Sequence, residues 1–240
     1  PLVTIAAVLT VLVGHFHGIL MSHQQPMKMA AADAVFETKK GAGLSLFATG
    51  DLKSNPEGLS RNVEIPQLLS WISTGYPNGK IEGINNLNRQ YQRQYGPGNY
   101  TPIVAIAYWT WRAMLGCAAL MLAFAAYGWW LLRKGRLQQS KRFLAIAVPA
   151  VALPFVASAT GWLFTEMGRQ PWAVFGLLKT DVANSPAVSQ AEIWITLVGF
   201  TLLYGVLAAI AGRVFLKTVK KGPVEAGKAE EPGQELALAY

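Results

Sequence analysis

The sequence predicts an all-α fold, a polytopic bundle of transmembrane helices with four spans in this chain and a long external loop. Its 240 residues are 52% hydrophobic and only 14% charged, too apolar on average for an ordinary soluble domain. Apolar runs at 1–20, 103–132, 143–165 and 191–216 are each long enough to cross a hydrocarbon core of about 30 Å, which takes roughly 20 helical residues. Basic residues gather in short segments at the ends of these runs. All four runs are expected as helices, because in lipid each backbone N–H and C=O must be satisfied within its own segment.

The run at 1–20 opens on Pro1, without an initiator Met or the charged start of a signal peptide, so the chain is expected to begin inside a longer one. Residues 21–102 form the external loop. Turn signals punctuate it at Asn55-Pro56, at Tyr76-Pro77-Asn78-Gly79 and at Gly96-Pro97-Gly98. Between them, 27–38, 66–73 and 81–95 read as short helices. A loop of this length is either functional or disordered, and its Leu, Ile, Trp and Tyr content favours function.

The span at 103–132 contains Cys117, the only cysteine of the chain, so neither a disulfide framework nor a Cys-based metal site can be built here. Arg133, Lys134, Arg136, Lys141 and Arg142 fill the 133–142 loop, and Arg213, Lys217, Lys220 and Lys221 cluster around the end of the last run. Both clusters fall on one side, which the positive-inside rule makes cytoplasmic. That rule accounts for the net charge of +8, and nucleic acid is excluded as a partner.

The span at 143–165 contains Pro149 and Pro154, each of which removes a backbone hydrogen bond and bends the helix. Residues 166–190 form a second external loop. Ser189 and Glu192 have the S-x-x-E spacing of a capping box at the start of the 191–216 span. The tail, 217–240, is rich in Gly, Pro, Glu and Lys, and is expected to be cytoplasmic and disordered.

Four groups of residues could carry chemistry. Arg112 and Met114 point about 200° apart on one helix, near the outer boundary of a span roughly 45 Å long. An inward thioether can ligate haem iron, or it can be packing filler. Trp162, Glu166 and Arg169 share one helix face at i, i+4 and i+7. The carboxylate can ligate a metal centre and the guanidinium can pair with propionates; an interfacial salt bridge below an aromatic-belt residue is the other reading. His15 and His17 lie on nearly opposite faces and cannot both ligate one metal, so with His23 they read as interfacial. Lys28 and Asp33, five residues apart, could hold and deprotonate a hydroxylated ring or form a solvated charged face.

The run Gly161-Trp-Leu-Phe-Thr-Glu-Met-Gly-Arg-Gln-Pro-Trp172 resembles the signature of the large, haem-bearing subunit of cytochrome bd-type quinol oxidases. Gln24-Gln25-Pro26-Met27-Lys28-Met29-Ala30-Ala31 resembles the start of that family's external quinol loop, and Trp111-Arg112-Ala113-Met114 its haem-ligand segment. The resemblance runs from residue 1 to about 216, corresponds to the C-terminal half of the subunit, and shows the short form of the quinol loop.

It implies that Met114 is an axial ligand of low-spin haem b, opposite a His in the N-terminal half, and that Glu166 ligates high-spin haem b. It further implies that Trp162 lies between haems, that Arg112 and Arg169 neighbour propionates, and that Lys28 with Asp33 serves the quinol. The family usually has Glu where Asp33 stands, so the reach is one methylene shorter. None of the three histidines matches a family ligand.

The implied activity is that of a bacterial cytoplasmic-membrane enzyme of the respiratory chain. It would oxidise ubiquinol or menaquinol at the outer face and reduce dioxygen to water through two haems b and a haem d, or a third haem b. Charge is separated without pumping. The implied partners are the N-terminal half, a small subunit II and small single-span subunits. A b-type electron-transfer cytochrome, a haem-d-free oxidase variant and a haem-free transporter with bent spans are the alternatives, separable by visible absorption.

Overall fold

The computed structural model describes residues 2–49, 52 and 60–222, and its secondary structure is mainly helical. Asn55-Pro56 and residues 223–240 of the expected tail lie outside the described residues. The chain divides into two compact units, Pro1–Asn184 and Ser185–Tyr240.

The first unit begins with α1, Leu2–Gln24, followed after one residue by α2, Pro26–Ala32. Pro26 stands in the first turn of α2, where its missing N–H has no intrahelical acceptor to lose. The helix expected over 27–38 stops early, because the chain reverses at Ala34, whose φ is +48°, and the Val35 N–H closes the turn onto Ala30 O at 2.8 Å. Met27 to Phe36 are all buried. Their alanines allow close approach, and α1, α4, α5 and α7 all pack against α2.

The external loop also contains strands that the sequence reading missed. These are β1, Lys39–Lys40; β2, Leu44–Thr49; β3, Ser60–Ile65; and β4, Lys80–Ile81. β2 pairs antiparallel with β3 from Leu44↔Ile65 to Thr49↔Ser60, and β1 pairs with β4. The expected short helices are present as α3, Leu68–Thr74, and α4, Ile84–Tyr95. Ile84, Leu87 and Tyr91 form the buried face of α4, the i, i+3, i+7 stripe of an amphipathic helix. α3 lies against α1, where the ring of His15 stacks on Trp71 at 4.8 Å. His15 is half-buried there and His17 exposed, in keeping with their opposite faces.

α5 runs from Val104 to Arg133, and its far end carries the basic loop. Arg133 and Lys134 fold back over Trp129 and Trp130 at 4.1 and 4.4 Å. α6, Lys141–Ala150, is broken from α7, Leu153–Gly168, at Val151 and Ala152. The expected bend is therefore a local interruption: Pro149 is in the last turn of α6 and Pro154 in the first turn of α7. α7 packs along α5. It ends in a ribbon of β5, Trp172–Val174, and β6, Leu178–Lys179.

The second unit contains α8, Gln190–Lys221, which continues past the expected end of the span at 216. Its capping box is formed: the Ser189 N–H donates to Glu192 Oε2 at 2.7 Å and the Glu192 N–H to Ser189 Oγ at 3.4 Å. Among the described residues, three helices are long and apolar enough to cross a membrane: α5, α6 with α7, and α8. The count is three, not the expected four. The 1–20 run is indeed helical as α1, but the side chains at its N-terminal end fall outside the description, and α1 is not among the three.

Candidate functional site

α5 carries Arg112 and Met114 toward different neighbours, as their angular separation requires. Arg112 turns to the external loop. Its Nη1 donates to Ala32 O at 2.6 Å and to Tyr108 O at 3.0 Å. Its Nη2 donates to Asp33 Oδ1 and to Ser45 O, and the guanidinium lies 3.2 Å from the centroid of the Tyr108 ring. Asp33 is fully buried and also accepts from the Ser45 N–H, at 3.1 Å to Oδ1 and 3.3 Å to Oδ2. Ser45 Oγ and Tyr108 Oη complete the network at 2.8 Å. One arginine thus pins the end of α2 and strand β2 to α5. A buried charge pair persists only when its remaining hydrogen bonds are satisfied in this way.

Met114 turns to α7. It is half-buried, and its sulphur faces Gly161, where a Cβ would stand only 2.8 Å from Sδ. On the same helix Glu166 and Arg169 form the expected ion pair one turn apart. Arg169 Nη1 also donates to Ala173 O at 3.3 Å, which fastens the helix end to the β5–β6 ribbon. Trp162 is two-thirds exposed, at 67%.

Lys28 does not meet Asp33. Its stem crosses Gly168, with Cγ 2.9 Å from where a Cβ would stand, in the electrostatic range of Glu166 and Arg169. Burial lowers the pKa of its ammonium below the ordinary lysine value, the charge of Arg169 lowers it further, and Glu166 opposes both. Lys28 is only 6% exposed. Among the described residues it forms no side-chain hydrogen bond or ion pair. The two external-loop residues paired in the sequence reading are therefore separated: Asp33 belongs to Arg112, and Lys28 leans on α7 beside Glu166 and Arg169.

Four buried donors on α5, at the end of α7 and on the β5–β6 ribbon have no partner among the described residues: Arg112 Nε, Arg169 Nε, Trp111 Nε1 and Trp172 Nε1. Trp111 packs on Phe164 across the α5–α7 seam at 5.0 Å. Trp172 stacks on Tyr100 at 5.6 Å and meets Tyr95 edge-on at 4.9 Å. Unpaired buried donors are costly, so each of these can take an acceptor from a bound group. No cluster of three or more His, Cys, Asp or Glu that could hold a metal ion occurs among the described residues.

Ser45, Tyr108, Gly161 and Gly168 were not singled out from the sequence. Tyr108 stands one turn before Arg112, and the glycines sit inside the motif already quoted; those were the available signals. Ser45 had only the alternation of a short strand.

Comparison with known proteins points to one family. The model of the family "Cytochrome bd terminal oxidase subunit I" matches residues 1–223. The chain is 35% identical over 210 residues to "Cytochrome bd ubiquinol oxidase subunit 1" of Bacillus subtilis (strain 168), covering 87% of this chain and 44% of that protein. It is 29% identical over 224 residues to the "Putative cytochrome bd menaquinol oxidase subunit I" of the same organism, covering 92% and 47%. The solved bd oxidase from Geobacillus thermodenitrificans superposes with a TM-score of 0.71 at 28% identity, over 92% of this chain and 48% of that one. The chain spans about half the length of each of these relatives. By the extent of the family match, the chain belongs to the cytochrome bd terminal oxidase subunit I family.

Proposed function

We propose that this chain is the C-terminal half of the haem-bearing subunit of a quinol-oxidising terminal oxidase of the bacterial cytoplasmic membrane, and that it works with its N-terminal half, a small subunit II and small single-span subunits. The observation that carries this reading is the alignment of three groups along α7 and its C-terminal end: the Met114 sulphur at Gly161, the Glu166–Arg169 pair, and the Lys28 stem laid over Gly168.

The residues present fit haem. A thioether and a carboxylate are known iron donors, and the partnerless Arg112 Nε, Arg169 Nε, Trp111 Nε1 and Trp172 Nε1 suit the propionates of such a group. Met114 would hold low-spin haem b and Glu166 high-spin haem b, with Trp162 between haems and a haem d or third haem b held outside this chain. When bound, these groups supply one-electron transfer from quinol to dioxygen and reduction of dioxygen to water.

Lys28 holds the quinol by donating a hydrogen bond from Nζ to a ring oxygen. Asp33 acts through Arg112: bonded to Arg112 and to the Ser45 N–H, it keeps the external loop, and Lys28 with it, seated on the haem-bearing helices. Arg169 holds the Glu166 carboxylate in place, and Arg112 fixes the turn of α5 that presents Met114. With the basic loop on the cytoplasmic side, quinol protons leave at the outer face, which separates charge without a pump.

Lys28→Met in the complete oxidase tests the quinol assignment. A charge-assisted hydrogen bond of about 1.5–3 kcal/mol converts to a rise in quinol KM of roughly 10-fold to 150-fold, with the haem absorption unchanged. An unchanged KM would remove Lys28 from the site.

A further inference from the structure

The signature motif contains two glycines, Gly161 and Gly168, seven residues apart on α7 and so on one helix face. Neither has the left-handed backbone that favours glycine, and glycine weakens a helix relative to alanine. Their backbone conformation therefore does not explain them. Their surroundings do. A Cβ on Gly161 would stand 2.8 Å from Met114 Sδ and 3.5 Å from its Cγ; one on Gly168 would stand 2.9, 3.5 and 3.7 Å from Lys28 Cγ, Cδ and Cε. Gly116 in α5 has no atom within 4 Å of where a Cβ would stand, so a helical glycine in this unit does not in itself imply a neighbour.

We infer that Gly161 and Gly168 are positioning residues, two seats on one face of α7 that set the Met114 sulphur and the Lys28 stem. The inference rests on the haem and quinol reading above and adds what fixes the position of each group. Carbon contacts are comfortable at about 3.5–4.0 Å, so a methyl at either glycine displaces its neighbour by roughly 0.5–1 Å. An unbound methionine absorbs such a shift cheaply, being unbranched and flexible. A sulphur bonded to iron cannot, and the displacement appears at the metal. The stem of Lys28 is buried, so its displacement is carried to Nζ and to the bound substrate.

The test compares Gly161→Ala and Gly168→Ala in the complete oxidase. Each is read by the absorption and midpoint potential of low-spin haem b and by quinol KM. The expected result is crossed. Gly161→Ala shifts the low-spin haem band and its potential and leaves KM within twofold; Gly168→Ala raises KM several-fold and leaves the band in place. Failure of either variant to move its own readout, or movement of both readouts by both variants, overturns the inference. Should Gly161→Ala fail to assemble, adding Met114→Ala removes the clash, and the double variant assembles as well as Met114→Ala alone; a double variant that assembles worse than Met114→Ala alone also overturns it. Should Gly168→Ala fail to assemble, adding Lys28→Ala is read the same way. The haem reading fails separately, when Met114→Leu leaves the spectrum unchanged; a changed Met114→Leu spectrum beside a silent Gly161→Ala defeats the seat alone.

Discussion

Asp33→Ala in the complete oxidase lowers stability by about 3–5 kcal/mol, the usual cost of stranding one member of a buried ion pair. The pair is sealed, with Arg112 at 9% and Asp33 at 0% side-chain exposure, so water cannot solvate the guanidinium that remains. Two hydrogen bonds from the Ser45 N–H are lost with the carboxylate, and β2 loses its tie to α5. Thermal inactivation of the purified complex measures the effect. The double variant Asp33→Ala with Arg112→Met recovers part of the loss, because the unpaired charge is gone. A single variant that inactivates at the wild-type temperature would show that the pair does not hold the loop. The same experiment separates positioning from substrate contact: an Asp33 that touched only quinol would change KM and leave stability alone.

Glu166→Ala removes high-spin haem b from the purified complex and, with it, oxygen reduction. The carboxylate is the only anionic oxygen donor on the described part of α7, and no His, Cys or acidic cluster stands in reserve among the described residues. Arg169 Nη2 loses its partner at the same time, so the helix end and the β5–β6 ribbon loosen together. Glu166→Gln keeps an oxygen for Arg169 but offers iron a neutral, poorer donor. It is therefore expected to retain more assembled protein than the alanine variant and still lack most of the high-spin haem. Haem extraction with reduced-minus-oxidised spectra checks both; full high-spin haem in Glu166→Ala would exclude the carboxylate as ligand.

Features governed by local spacing were legible in the sequence. The long apolar runs, the interruption at Pro149 and Pro154, the capping box at Ser189 and Glu192, and the Glu166–Arg169 pair all depend on residues within a few turns of one another, and hydropathy or helical periodicity records them. The Arg112–Asp33 pair joins positions 79 apart, and no spacing rule reaches that far. The separation of Lys28 from Asp33 was half legible: five residues along α2 turn the two side chains about 140° apart, but which neighbours each would meet, α7 or Arg112, lies far away in the sequence. β2 and β3 were missed for another reason. Short strands stabilised by each other carry a weak period-2 signal, and the Leu-Ser-Leu-Phe-Ala-Thr run lies in a long loop punctuated by turn signals. The two glycines were visible as letters of a motif, but their purpose lies in the side chains that cross them.

Everything proposed for the haems turns on the sulphur of Met114, presented by α5 toward α7, as an iron ligand. Met114→Leu keeps the volume and apolarity of the side chain and removes only the donor atom. In reduced-minus-oxidised spectra of the complete oxidase, this variant is predicted to lose the low-spin haem b signal while the remaining haem bands persist. An unchanged low-spin signal would show that Met114 does not ligate the iron.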